Sequence, residues 1–395
     1  MAFWGTASLL RARDGHEAKV SNVELFFDLV YVFAVTQLSH RLLHDYGFSG
    51  AVEAAVLWFG VWLAWQYTCW VTNWFDPEAM PMRLLLFAIM LCGLVMAAAI
   101  PSAFGARALL FAGGYVAIQL GRTLFVLAHL GRHPLAANFR RILGWTCISA
   151  CLWIAGGLVA ELRLPLWIAA VACDYLAPMT GFRLPGMGRS LTTDWTIEGG
   201  HIAERCQQFV IVALGESILV TGATLSETAD WSDLPVLIAF LVAFVGALAM
   251  WWVYFDTGSQ QGSEAILHAE DPGRMGASFH YVHAVVVAGV IVSAVANELV
   301  IAHPDGRITM ASMFVLAGGP LLYLLGNGIY KTLVFGRFPL SHIGGLAALA
   351  VLMGFARFTD LLMVGGLTTV VVLAVAVWET LSRRGGSSAR VMATD

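Results

Sequence analysis

Charge is what this 395-residue chain has least of. Asp, Glu, Lys and Arg make up 12% of it and hydrophobic residues 59%, against about 25% and roughly 45–50% in ordinary soluble domains. A soluble domain of this length needs a charged surface to stay dispersed, and here the charged residues crowd into short segments between long apolar runs. Water is not the main solvent. The formal net charge of -4 excludes the basic surface of a nucleic-acid binder, so no such partner is expected. The six cysteines, Cys69, Cys92, Cys147, Cys151, Cys173 and Cys206, lie in apolar stretches without CxxC spacing, which argues against a zinc site or a disulfide framework. They read as small apolar packing residues. Phosphate-cradling glycine loops and nucleophile elbows are missing as well, so neither a cofactor nor a catalytic residue is assigned. The opening residues, MAFWGTASLLRARDGHEAK, lack an uninterrupted apolar core with a cleavage site, so a removed signal peptide is not expected.

What the chain does have is apolar stretches near the ~20 residues that cross a bilayer. They predict an all-α, polytopic helical bundle of about 12 spans, at about 23–43, 52–74, 83–101, 106–130, 140–160, 164–181, 201–226, 234–255, 278–300, 309–333, 339–356 and 360–381. An even count puts both termini on one side. Basic loops are retained in the cytoplasm. With the N-terminus inside, the inner segments hold fifteen Lys and Arg, Arg11, Arg13, Lys331, Arg337 and Arg383 among them. The outer set is five: Arg41, Arg107, Arg163, Arg307 and Arg357. The outer segment after the seventh helix, SETADWSD, has no basic residue. The expected location is therefore the plasma (inner) membrane, with both termini cytoplasmic.

Self-similarity divides the chain. Adding 180 takes Glu24, Val30 and Val32 onto Glu204, Val210 and Val212, Asp28 onto Gln208, and Phe75–Asp76 onto Phe255–Asp256. At the fourth helix the offset becomes 205, where Ala112, Gly113, Gly114, Leu120 and Gly121 fall on Ala317, Gly318, Gly319, Leu325 and Gly326. The expected organisation is a cytoplasmic segment 1–22, a six-helix half 23–181, a cytoplasmic loop 182–200, a second six-helix half 201–381 and a tail 382–395. Six helices per half give copies of the same orientation, related by an axis along the membrane normal. The small residues of the AGG and LG matches also suit close helix packing. The Trp-rich second helix and Trp251 and Trp252 of the eighth read as interface anchors and packing.

An ionisable side chain in a spanning segment costs a few kcal/mol, so it normally faces a partner or a wet cavity. On the seventh helix, His201, Glu204, Arg205, Gln208 and Glu216 fall within an arc of about 120° at 100° per residue. Glu24, Asp28 and Tyr31 share one stripe of the first helix. The fourth carries Arg122, the expected partner for these acids; the sixth carries Asp174 and the ninth His280 and His283. Structural ion pairing is the plain alternative for the shallow cluster, and helix-end packing for the histidines. Yet five carboxylates, Glu24, Asp28, Asp174, Glu204 and Glu216, outnumber the two arginines inside helices, Arg122 and Arg205. His201 and Glu204 have one i, i+3 spacing known from di-iron bundles, in reversed order and without a second pair, so no metal is assigned.

VSNVELFFDLVYVFAVTQLSHRLL at 20–43, HIAERCQQFVIVALGESIL at 201–219 and HYVHAVVVAGV at 280–290 resemble the low-temperature-requirement protein A family of bacterial membrane proteins. The resemblance takes in nearly the whole chain, about 20–380. It implies a multi-spanning protein in which Glu24, Asp28, His201, Glu204, Arg205 and Glu216 match characteristic polar positions. The family name records a growth phenotype and no reaction.

The leading functional expectation is a secondary transporter coupled to protons, with a small solute of unidentified class as cargo and the lipid bilayer as surroundings. Glu216 would carry the proton, Arg122 or Arg205 would modulate it, and Glu24, Asp28 and Glu204 would form the cytoplasmic exit. An intramembrane enzyme or cofactor-binding protein acting on a lipid or apolar substrate is the alternative. A membrane sensor or structural protein is the third.

Overall fold

A computed structural model describes residues 9–11, 19–195, 197–227, 233–256 and 259–392. Its long helices are α1 (Asn22–His44), α2 (Phe48–Trp74), α3 (Met80–Ala99), α4 (Ala108–Leu130), α5 (Leu135–Leu158), α6 (Arg163–Met179) and α7 (Gly199–Glu227). They continue with α8 (Leu234–Phe255), α10 (Pro272–Ala302), α11 (Met310–Phe335), α12 (Leu340–Phe355) and α13 (Leu361–Met392), and α9 (Ser259–Leu267) is a short helix in the loop after α8. Twelve of these segments are long and apolar enough to span a membrane, and the described residues hold isolated β-bridges only. The protein is an all-α, multi-spanning bundle. Most of the loop SETADWSD and Arg13 lie outside the described residues.

The sorting of side chains on α1 shows the solvent. Leu25, Phe26 and Leu29 are 42%, 53% and 55% exposed, while Glu24, Asp28 and Tyr31 on the opposite face are at most 1% exposed. In water this pattern would be inside out; in hydrocarbon it satisfies the polar groups internally and leaves aliphatic ones to the lipid. α7 repeats it, with Ile211, Ile218 and Leu219 outward and His201, Arg205 and Glu216 buried. Cys147 and Cys151 are exposed on α5, so they do not share the packing role expected of all six cysteines.

Several helix boundaries depart from expectation, those of α10 and α13 the furthest. α10 begins at Pro272, six residues earlier than 278, because Asp271 caps it: its Oδ1 accepts the Arg274 N–H at 2.9 Å and proline fits the first helical position, where no N–H is needed. The loop at 257–277 is thus shorter than expected and contains α9. α13 continues to Met392, past the expected end at 381.

The chain divides into two units: 1–38 with 52–205 and 266–277, and 39–51 with 206–265 and 278–395. In the first unit α3, α4, α5 and α6 pack in succession. Gly114 lets α4 approach α3 closely, since a Cβ there would stand 2.9 Å from Met96 Cβ and 3.1 Å from the Cys92 carbonyl. In the second unit α8 packs on α13, which also contacts α11 and α12. There α10 and α11 cross almost backbone to backbone, and the contacts Val286–Gly326, Gly289–Tyr323 and Ser293–Gly319 descend one helix as they climb the other, so the pair is antiparallel.

A Cβ on Gly289 would sit 2.5 Å from the Tyr323 backbone nitrogen, whereas one on Gly318 meets nothing within 4 Å. Gly289→Ala is expected to destabilise the protein by about 1–3 kcal/mol through overpacking. Gly318→Ala should leave stability unchanged or raise it, because alanine favours helix. Thermal unfolding of the detergent-solubilised variants checks the contrast, and equal midpoints would contradict the packing.

Candidate functional site

In the first unit the sequence positions at 24, 28, 201 and 205 converge. Glu24 Oε1 lies 2.8 Å from His201 Nε2, and Asp28 Oδ1 accepts from Arg205 Nη2 at 2.6 Å. Arg205 Nη1 stands 3.3 Å from Glu24 Oε1, so one guanidinium spans both acids. All four side chains are at most 1% exposed. Both pairings have the same separation of 177 residues, which requires α1 and α7 to run in the same direction here. The i, i+4 spacing on each helix then stacks acid over acid and His over Arg, one turn apart.

The two acids differ in how completely they are bound. Glu24 also closes the first turn of α1, one half of a capping box: its Oε2 accepts the Ser21 N–H and hydroxyl, both at 3.0 Å. Arg11 Nη2 reaches the same oxygen at 3.3 Å. Asp28 is lopsided. Its Oδ1 accepts from Arg205 and from Trp65 Nε1 at 2.7 Å, while Oδ2 is buried with no hydrogen-bond partner among the described residues. One turn deeper the Tyr31 hydroxyl is in the same condition.

Asn73 decides the state of His201. Its Oδ1 accepts the Glu198 N–H at 2.9 Å and its Nδ2 donates to the Glu198 carbonyl at 3.0 Å, which fixes which end of the amide faces the imidazole. Nδ2 then donates to His201 Nδ1 at 3.2 Å. With Nδ1 accepting, Nε2 is the nitrogen left to donate to Glu24, and Arg11 Nη2 stands 3.4 Å from it. The charges in this core are therefore Glu24 and Asp28 against Arg205 and Arg11.

Arg122, expected to face these carboxylates, belongs elsewhere. It donates to Gln119 Oε1, to Thr68 Oγ1 at 3.1 Å and to the Ala64 carbonyl at 3.3 Å. Among the described residues it forms no ion pair. Gln119 donates to the Tyr115 hydroxyl at 2.8 Å, and Tyr115 to Asp174 Oδ2 at 2.7 Å, where Trp153 Nε1 also arrives at 3.1 Å. Arg122, Gln119 and Tyr115 thus form one donor chain down α4 that ends on an acid. Glu204 is half-buried, and its Oε2 accepts the Val20 N–H at 3.4 Å.

The remaining expected residues lie in the second unit. Glu216 is buried and Gln208 half-buried on α7, and His280 and His283 are fully buried on α10. His283 is satisfied by its neighbours: Nδ1 faces the Phe279 carbonyl at 2.6 Å and Nε2 the Tyr254 hydroxyl at 2.6 Å. Among the described residues no three His, Cys, Asp or Glu side chains are grouped to hold a metal ion.

Sequence reasoning missed several participants. Arg11 falls in the expected segment 1–22, outside the apolar runs, and residues 9–11 pair antiparallel with the end of α2, the Arg11 N–H donating to the Trp74 carbonyl at 2.8 Å and the Asp76 N–H to the Leu9 carbonyl at 2.9 Å. Lys331 was counted with the inner loops, but it is 1% exposed within α11, with Nζ 2.5 Å from Glu379 Oε2 and 2.9 Å from the Val253 carbonyl. Glu379 Oε1 is met by Ser341 Oγ and His342 Nδ1, each at 3.2 Å. Trp65, read as packing, is a hydrogen-bond donor to Asp28. The S-x-x-E spacing of Ser21 and Glu24 was the available signal for the capping box; Arg11 had none beyond its charge.

Removing Arg205 leaves two buried acids without their shared cation, and Arg205→Met is expected to cost about 3–5 kcal/mol. Adding Asp28→Leu to it should recover part of that loss, since breaking a buried pair costs more than replacing it with apolar groups. A double-mutant cycle on thermal unfolding measures this coupling, and strict additivity would show that the pair is not the contact described.

A model of the bacterial low temperature requirement A protein (LtrA) family matches residues 19–377. An uncharacterized protein, RA0937, of Rhizobium meliloti (strain 1021) is 38% identical over 377 residues, which is 94% of this chain and 91% of that one. No solved structure matches. The chain belongs to the bacterial low temperature requirement A family.

Proposed function

We propose that the protein is a secondary transporter coupled to protons, in which buried carboxylates of α1 and α7 take up and release the coupling proton. The observation that supports this reading is the asymmetry of Asp28. A proton can add to its unpartnered Oδ2 without breaking the Arg205 and Trp65 contacts, which both use Oδ1. Glu24 has no such freedom, because both oxygens are engaged; it fixes the helices while Asp28 titrates. Tyr31 comes next on the same helix face, within electrostatic reach of both Asp28 and Arg122. The Arg122–Gln119–Tyr115–Asp174 chain extends the polar path. Glu216, buried on α7 in the second unit, is the second carboxylate of the reading, and Glu204 and Gln208 are half-buried companions on that helix.

The two-fold organisation belongs to this proposal. The offset of 205 also takes Asp174 onto Glu379, and each is a buried acid hydrogen-bonded inside its own unit. Gly114 and Gly319, related by the same offset, both admit a neighbouring helix closely. Two halves of common orientation, divided near 181–201, are a known basis for alternating access. We place the termini and the basic loops in the cytoplasm by the distribution of Lys and Arg, in a bacterial plasma membrane.

Full-length protein in liposomes with a trapped pH dye, supplied with a small-molecule cell extract as solute source, tests the coupling. The wild type is expected to move protons faster than protein-free vesicles. Asp28→Asn, which preserves size and an acceptor for Arg205, and Glu216→Gln should each lower that rate about tenfold or more. Rates in both variants equal to the wild type would overturn the reading. A phosphatase reporter, active only outside the cytoplasm, should be silent when fused after residue 395; activity there would reverse the orientation.

A further inference from the structure

The ion pair of Lys331 and Glu379 does not lie in a closed core. It forms one wall of a cavity of about 610 Å³ where the end of α11, the start of α12 and the last turns of α13's spanning part meet. That volume is in the range of ligand sites. The cavity lies entirely within the second unit and is independent of the transport reading.

Its charge is one-sided. Among the described residues Lys331, Arg337 and Arg383 line it, with Glu379 as the one acid. Glu379 presents no free oxygen to a ligand, since Lys331 holds Oε2 and Ser341 with His342 hold Oε1. Arg383 is matched by Asp256, which lies outside the lining. Arg337 is exposed and forms no ion pair among the described residues, so the cavity has an uncompensated guanidinium. α12 begins beside it: its N-cap is Pro339, with no side-chain cap, and its first residues, Leu340 and Ser341, line the same cavity. The C-terminal end of α11 nearby works against this dipole, which leaves Arg337 as the deciding charge.

The rim is apolar. Phe335, Leu340 and Trp378 line the cavity and are 46%, 72% and 49% exposed, the outward orientation of the lipid-facing residues elsewhere in the bundle. A free inorganic anion would use the arginine and waste this rim. A phosphate or carboxylate joined to an acyl chain uses both.

We propose that the cavity bounded by Lys331, Arg337 and the start of α12 binds an anionic amphiphile, its phosphate or carboxylate on Arg337 and its chain along Phe335, Leu340 and Trp378. Basic pockets between spanning helices on a cytoplasmic face are a general means of holding acidic headgroups. Lys331, already paired, positions the wall and does not itself supply the binding charge.

The test is melting of the purified full-length protein in neutral detergent, titrated with phosphatidylglycerol, with phosphatidylcholine of the same chains, or with inorganic phosphate. Phosphatidylglycerol is expected to raise the midpoint and phosphatidylcholine to leave it in place. Arg337→Ala should weaken the phosphatidylglycerol effect about tenfold or more in half-saturating concentration, as for loss of one charge-assisted contact. Arg132→Ala, an exposed arginine of the first unit, should not change it. A phosphate effect of equal size, lost in Arg337→Ala, would support the anion site but replace the lipid by a free anion. Equal responses to the two lipids, or a phosphatidylglycerol response unchanged in Arg337→Ala, would overturn the proposal.

Discussion

The Arg205 guanidinium, shared between Glu24 and Asp28, is the contact on which the first unit turns. Burying one acid without a cation costs several kcal/mol, and burying two a turn apart is feasible only if a cation is held at the level of both. Helix α7 can supply it in one register alone. A slide by one residue turns Arg205 about 100° away from α1, and a slide by a full turn sets His201 against Asp28 and leaves Glu24 without its partner. The neutral imidazole set by Asn73 and the fixed guanidinium make the two levels non-equivalent, so the register is specified twice. This is the best-attested use of buried charge: it adds little net stability and discriminates strongly among packings.

From that contact the rest of the local structure follows. Because α1 and α7 pair in the same direction, the helices between them must return the chain to the same side, which an even number of crossings does. Ser21 closes the first turn of α1 around Glu24, and Trp65 of α2 closes Asp28 from the other side. Arg11 brings the pairing of residues 9–11 with the end of α2 to bear on the same acid. One carboxylate thereby ties an N-terminal segment, a helix start and two helices together, while its neighbour a turn away keeps an oxygen open.

Much of this was legible because hydrocarbon makes polar residues conspicuous. Every ionisable group inside an apolar run has to be explained, and the periodicity of α-helices places Glu24 with Asp28 and His201 with Arg205 before any coordinates are known. What periodicity lacks is partner choice. Arg122 had the right depth to neutralise an acid on α1, but a wheel diagram cannot say that Gln119 one turn away and Thr68 of α2 already claim its donors. Lys331 was illegible for a related reason: near a helix end a lysine is usually drawn out to water, and here Glu379 and the Val253 carbonyl, both on distant segments, hold it inward. Arg11 lay outside the apolar runs, where a basic residue raises no question. The early start of α10 was written plainly in Asp271–Pro272, and hydropathy blurred it because the first turn is polar.

The two units answer the same problem with different cations, and the chemistry of the cations separates them. Arginine keeps its proton under any condition a cell meets, so Asp28 always faces a full positive charge on Oδ1, and only the far oxygen can change state. Lysine is a compact ammonium, and Lys331 is held by Glu379 and by the Val253 carbonyl, while Ser341 and His342 meet the other oxygen of that acid. The first arrangement fixes structure and leaves one carboxylate oxygen without a hydrogen-bond partner among the described residues. The second engages both oxygens of its acid, yet it stands beside an open cavity that Arg337 also lines.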